Sequence, residues 1–304
     1  MAASWIDLLD PSADELRAKA PKELEATALE QLLAPPEHED EPRPTLQGHG
    51  DYIFGVLLVA VAQRDEDTVY YQEIDIVLTR DTLLTVRKTP EAGKRPACDV
   101  DLVKKSVKPD DSAGMMAYRL IDEIAERYLT LVDDLDEEID ELEDLVESQP
   151  AGATRQRIGA LRHDLLHIRR TLTPMRDSVR RVIDNTVEVE KGPEVFTRDV
   201  EVAFNAAYDK FLRATDGLDL ARDLLAGVRD YSQAKIANDQ NEVMKRLTVI
   251  AALLLVPTFI VGLYGQNFKV MPELNWHYGY LFSWGLIVGS TLLQLAWFRW
   301  KKWF

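Results

Sequence analysis

From Ala113 onward, apolar side chains return every three or four residues: Tyr118, Ile121, Ile124, Tyr128, Leu131, Leu135, Ile139, Leu142 and Leu145. That spacing marks one face of an α-helix. The opposite face carries "DDLDEEIDELED", and a second helical stretch, "ATRQRIGALRHDLLHIRRTLTPMRDSVRRVIDNT", is basic where its neighbour is acidic. Antiparallel pairing would neutralise both faces. Pro174 is expected to bend or end the second helix, because proline removes a backbone donor and crowds the preceding turn. After the "KGPE" break no proline intervenes between Pro193 and Pro257. Phe204, Tyr208, Phe211, Thr215, Leu218, Ala221, Leu225 and Val228 form one stripe, and the pattern runs through "QNEVMKRL" with no turn signal. This predicts a single helix of about 60 residues, roughly 90 Å long, with a kink at Gly217 or Gly227 left open.

Upstream the period shortens. "DYIFGVLLVAVAQ", "TVYYQEIDIVLT" and "TLLTVRKTP" are β-rich runs broken at "RDED" and "RD", and such polar breaks bound strands. Residues 1–50 read as a helical start and a Pro-rich linker near "APPEHEDEPRP". Downstream, "LTVIAALLLVPTFIVGLY" and "YLFSWGLIVGSTLLQLAWF" are uncharged and each spans about the hydrocarbon thickness of a bilayer. A buried core helix is the alternative for either run alone; two together at the C-terminal end favour membrane insertion. Lys245 and Arg246 precede the first run, and Arg299, Lys301 and Lys302 follow the second. Positive residues stay cytoplasmic, so both termini face inward and the loop "GQNFKVMPELNWHYG" faces out. Trp276, Tyr278, Tyr280, Trp297, Trp300 and Trp303 suit interfacial aromatic belts.

The expected fold is therefore an α+β cytoplasmic domain with a long helical stalk and two C-terminal transmembrane helices. Its parts are an α/β domain over 1–110, an acidic/basic helical pair over 111–195 and a stalk helix over 196–246. A first transmembrane helix over 247–268, an external loop over 269–279, and a second span with a basic tail over 280–304 complete it.

Charge narrows the function. The chain of 304 residues has a net charge of −16, but residues 1–243 hold 30 basic and 51 acidic groups, net −21. Nucleic acid is excluded as an expected partner, because phosphate binding needs clustered cations. An acidic body attracts divalent cations or keeps the protein soluble. The single cysteine, Cys98, allows no intramolecular disulfide and no thiolate cluster. No secretory signal is expected from "MAASWIDLLDPSADELRAKA". His163 and His167, at i and i+4, are a candidate zinc pair, yet Arg162, Arg169 and Arg170 flank them and no third ligand is in view. A solvated helix face is the better reading of that pair. No nucleophile–base pair and no Gly-rich phosphate loop is present, so no enzyme is expected.

Asn241, Met244, Thr248, Ala251, Leu255, Thr258 and Gly262 follow one another on a single helical face. This face is uncharged, and smaller and more polar than the Ile250–Leu254 side. A ring of subunits could place it around an axis, or it could be a plain helix–helix contact. The residues leave both open.

The C-terminal third resembles the CorA family of magnesium transporters, whose signature is a Tyr-Gly-Met-Asn-Phe hinge followed by Met-Pro-Glu-Leu. Here "YGQNF" occupies 264–268 and "MPEL" 271–274, and "QNEVMKRLTVIA" resembles the family's inner-helix entrance. The order of the body agrees, although the specific match lies in about the last 65 residues. The resemblance implies a funnel-shaped homopentamer in a cell's plasma (inner) membrane, with Mg2+ as transported ion and as gating ligand. It implies a filter at Gly265, Gln266 and Asn267, and pore-lining roles for Asn241, Met244, Leu255, Thr258 and Gly262. Leu255 keeps an apolar gate where some members have methionine. Glu273 is added as the acid of the external loop. Neutral amide oxygens suit Mg2+, which gives up its water shell reluctantly, whereas a carboxylate ring would hold the ion too long for conduction.

Three positions depart from the family pattern. Gln266 replaces methionine, which puts ion preference in question. Lys269 stands where an acid is common. Ala206, in "FNAAYDKF", stands where a gating aspartate is expected, with Asp209 one turn on. A zinc, cobalt or nickel transporter of the same family, or a non-conducting membrane-anchored sensor or scaffold, are the alternative expectations.

Overall fold

The computed structural model describes residues 3–36, 43–63, 68–90, 98–187, 189, 194–267, 269 and 271–303. The expected linker at 37–42 and most of the "KGPE" break lie outside them. The chain divides into two compact units, residues 1–229 and 230–304.

The first unit opens with β1 (Ser4–Leu9), α1 (Ala13–Lys19) and α2 (Ala26–Leu33). Ser12 starts α1: its Oγ accepts from the Glu15 amide at 3.3 Å, satisfying a donor that the first turn leaves free. The strands β2 (Thr45–His49), β3 (Tyr52–Gln63), β4 (Thr68–Leu78) and β5 (Thr82–Arg87) then complete a sheet of order β1-β5-β4-β3-β2. β1 runs parallel to β5, and every other pairing is antiparallel. Strand alternation divides β4 between two cores. Ile74, Ile76 and Leu78 enter one, while Val77 enters the other with Leu16, Ala28 and Leu32 from α1 and α2.

α3 (Val100–Lys105) follows, capped by the Asp99 carboxylate, and leads to α4 (Ala113–Ser148) and α5 (Ala151–Ile183). These two cover the sheet. Tyr128 fixes the layers together, its hydroxyl donating toward the Leu58 carbonyl and Thr171 Oγ1, each at 3.0 Å. The acidic–basic pairing expected for α4 and α5 includes an ion pair between Glu138 and Arg157. The apolar stripe of α4 drifts at its end: Leu145 is exposed and Val146 is buried instead. A repeat of 3.6 residues per turn outruns strict three–four spacing in this way. Pro174 does not end α5, which continues to Ile183. Leu172, Met175 and Val179 are buried on either side of it, so tertiary burial outweighs one missing backbone bond.

α6 (Arg198–Tyr264) is one helix of 67 residues. Every member of its expected cytoplasmic stripe is buried except the half-buried Tyr208. Gly217 causes no break. A Cβ there would meet Val132 Cγ1 at 2.8 Å, so its absence is what lets α6 approach α4. Lys210 of α6 reaches Asp122 at 3.0 Å and Glu126 at 2.9 Å on α4. The second unit holds the rest of α6, a 3-10 turn (Pro272–Asn275) and α7 (Gly279–Trp300).

Candidate functional site

α6 ends at Tyr264, so the hinge residues lie just past its last turn. The Gly265 amide donates to Val261 O at 2.9 Å and the Gln266 amide to Leu263 O at 3.4 Å. Gly265, Gln266 and Asn267 are all exposed. Phe268 lies outside the described residues, as does the side chain of Glu273. Beyond them Trp276 packs on Tyr278 and Phe282, with ring centres 6.2 and 5.7 Å apart. At the other end of α7, Trp297, Phe298 and Trp303 form a second aromatic group.

Burial separates the faces of the apolar part of α6. Val249 is buried, and Ala252, Leu253, Val256, Ile260 and Tyr264 are half-buried at helical spacing. On α7 the matching set is Ser283, Ile287, Thr291, Gln294 and buried Phe298. Each helix is the element available within this unit to cover the other. The residues expected to line a path, Thr248, Ala251, Leu255, Thr258 and Gly262, are all exposed, as are Asn241 and Met244 below them. None of these is brought against another part of the unit.

The chemistry of that open face is specific. Thr248 Oγ1 donates to Met244 O at 2.8 Å, and Thr258 Oγ1 donates to Leu254 O at 2.7 Å. Each hydroxyl proton is used on the backbone, so the oxygen offers only acceptor lone pairs outward. On the covered side, Pro257 sits within α6 and has no N–H, which frees the Leu253 carbonyl of its usual helical partner. Leu255, 69% exposed, and Met244, 62% exposed, are the large apolar members of the stripe. Hydroxyl acceptors on either side of one leucine level can solvate a watered cation and still exclude water at that level.

Lower on α6, Ala206 and Asp209 are exposed, on the side away from buried Phe204, Ala207 and Phe211. The acidic run of α4 is partly inward: burial, then the charges of Asp133 and Asp140, raise the Asp136 carboxyl above the usual range. Among the described residues no group of three or more His, Cys, Asp or Glu could hold a metal ion. His163 and His167 come together on the exposed face of α5, with Nε2 atoms 3.0 Å apart.

One cluster escaped the sequence reading. Lys88 Nζ lies 2.5 Å from Glu73 Oε1, 2.9 Å from Asp75 Oδ2 and 3.2 Å from the Gln31 carbonyl. All three side chains are buried, beside a cavity of about 300 Å3 lined also by Thr45, Gln47, His49 and Phe54. The signal was available in "YYQEIDIVL", where two carboxylates alternate inside a strand buried on both faces.

Residues 2–302 match a family model described as CorA-like Mg2+ transporter protein. The chain belongs to this family. It is 30% identical over 264 residues to the cobalt/magnesium transport protein CorA of Thermotoga maritima, covering 86% of this chain and 73% of that one. The complete structure of the CorA magnesium transporter from Methanocaldococcus jannaschii superposes with a TM-score of 0.79 at 22% identity, over 97% of this chain and 89% of that one. The full-length CmaX protein matches at a TM-score of 0.70 and 20% identity, over 98% and 88%. These two likenesses carry the fold: a soluble α/β domain, a long helix and two C-terminal helices. α6 and α7 are long and apolar enough to cross a membrane, and membership of the CorA family makes this a membrane protein of divalent-cation transport.

Proposed function

We propose that five copies of the chain surround one axis, each contributing its α6, and let Mg2+ run inward as a hydrated ion down the membrane potential. The observation that carries this reading is the open face of α6. It is uncharged, carries acceptor oxygens at Thr248 and Thr258 and is uncovered from Asn241 to Gly262, while from Val249 on one side of the helix is covered. Between Gln233 and Thr248 only Lys235 and Ile236 are even half-buried. A lone helix so uncovered is marginal in water, and neighbouring copies would supply its missing contacts. In this assembly the Gly265 carbonyl and the Gln266 and Asn267 amides ring the outer mouth. Leu255 forms the apolar constriction. Lys245, Arg246, Arg299, Lys301 and Lys302 hold both termini in the cytoplasm. Moving a dication through 100 mV releases about 4.6 kcal/mol, which suffices without a nucleotide. Mg2+ also serves as gating ligand between cytoplasmic bodies, at carboxylates near the exposed Asp209 in place of Ala206.

Cobalt is the nearest second cargo, since the relative from T. maritima is named for cobalt and magnesium and Gln266 adds a polar group at the mouth. The test is Mg2+ uptake into liposomes carrying the chain or its Asn267→Ala variant, read with a trapped fluorescent dye. Flux should fall sharply in the variant. Equal flux from both would remove Asn267 from the filter.

A further inference from the structure

We propose that His163 and His167 form a bidentate site for a tetragonal late first-row dication, Cu2+ or Ni2+, on the exposed face of α5. The two residues lie one turn apart, and α5 holds their Nε2 atoms 3.0 Å from each other with ring centres 4.1 Å apart. A linear N–H···N bond of this length would keep the ring centres roughly 5 Å apart. The rings instead lie side by side, tilted 39° to one another, with both Nε2 atoms close enough for one metal to bind both.

The spacing fits a right-angled pair of nitrogens. Two nitrogens at about 2.1 Å from an ion and at right angles lie about 3.0 Å apart, whereas a tetrahedral ion spreads them to about 3.4 Å. Right-angled nitrogen coordination is the geometry of Cu2+ and Ni2+. Mg2+ demands oxygen ligands and does not compete. His163 is open to solvent, with 70% of its side chain exposed, and the Asp164 carboxylate stands 3.8 Å from its Nδ1. That carboxylate offsets the neighbouring arginines, of which Arg169 is already paired with Asp219. Water fills the remaining positions, so the bound metal exchanges. The site is separate from the proposed ion path and stands whether or not α6 conducts.

The test uses the full chain in detergent with excess Mg2+, titrated with Cu2+ and followed by electron paramagnetic resonance. The expected result is one equivalent per chain with hyperfine splitting from two imidazole nitrogens. Both the equivalent and the splitting should vanish in the His163→Ala/His167→Ala double variant, while its helix content and elution remain those of the parent. In the unaltered chain, Cu2+ should also protect these two histidines from acylation by diethyl pyrocarbonate. Retention of the two-nitrogen signal in the double variant, displacement by Mg2+, or full acylation of both residues in the presence of Cu2+ would each overturn the assignment.

Discussion

Replacing Lys88 by methionine removes one positive charge from a largely buried ionic cluster. Its side chain is 7% exposed, that of Glu73 8% and that of Asp75 1%. Methionine fills the stem's volume but leaves two carboxylates facing each other, and Asp75 Oδ1 already has no hydrogen-bond partner. Stripping one partner from a buried ionic group costs about 3–5 kcal/mol. Expressed as amide exchange, that is roughly two to four powers of ten in the protection of β4 and β5. Hydrogen exchange with mass spectrometry on the full chain reads it directly, without requiring all-or-none unfolding. The sign with pH follows from Asp75, whose carboxyl is pushed up to about 7 by burial, with Lys88 drawing it down and Glu73 raising it. Because the folded value exceeds the unfolded 3.8, the folded state binds this proton more tightly. The resulting stability is complete below the unfolded value and is lost as pH rises through about 7. The Lys88→Met deficit should therefore shrink on acidification, and Asp75→Asn should flatten the profile over the same window. A Lys88→Met chain whose β4 amides exchange within tenfold of the parent at neutral pH would refute the reasoning.

Tyr128→Phe should lower stability by about 1–3 kcal/mol, since it abandons the Leu58 carbonyl and the Thr171 hydroxyl in the core; thermal unfolding by circular dichroism checks it. Gly114→Ala should destabilise by about 1–3 kcal/mol, because its Cβ would sit 2.6 Å from the backbone oxygen of Val195. Gly159→Ala, with nothing within 4 Å, should stabilise α5 by about 0.5–1 kcal/mol in the same melt. Leu255→Asn should raise resting Mg2+ flux in the liposome assay by wetting the apolar level of the path, and flux unchanged from the parent would remove Leu255 from the gate.

The pattern of apolar positions was enough to define the four long helices, because burial in a helix repeats locally and leaves its period in the chain. The stalk stripe from Phe204 to Val228 and the two uncharged runs were legible for this reason. So was the family, through "YGQNF" and "MPEL". Sequence could not show that Pro174 stays inside α5, because that depends on what packs beside it. Nor could it show the shift from Leu145 to Val146, which accumulates over many turns. Lys88, Glu73 and Asp75 are separated by up to fifteen residues and meet only because β4 and β5 pair in one register. His163 and His167 were visible as a spacing, but whether their nitrogens converge depends on rotamers. Local periodicity is written residue by residue; contacts across strands, and the charges they force together out of water, exist only once the chain has closed on itself.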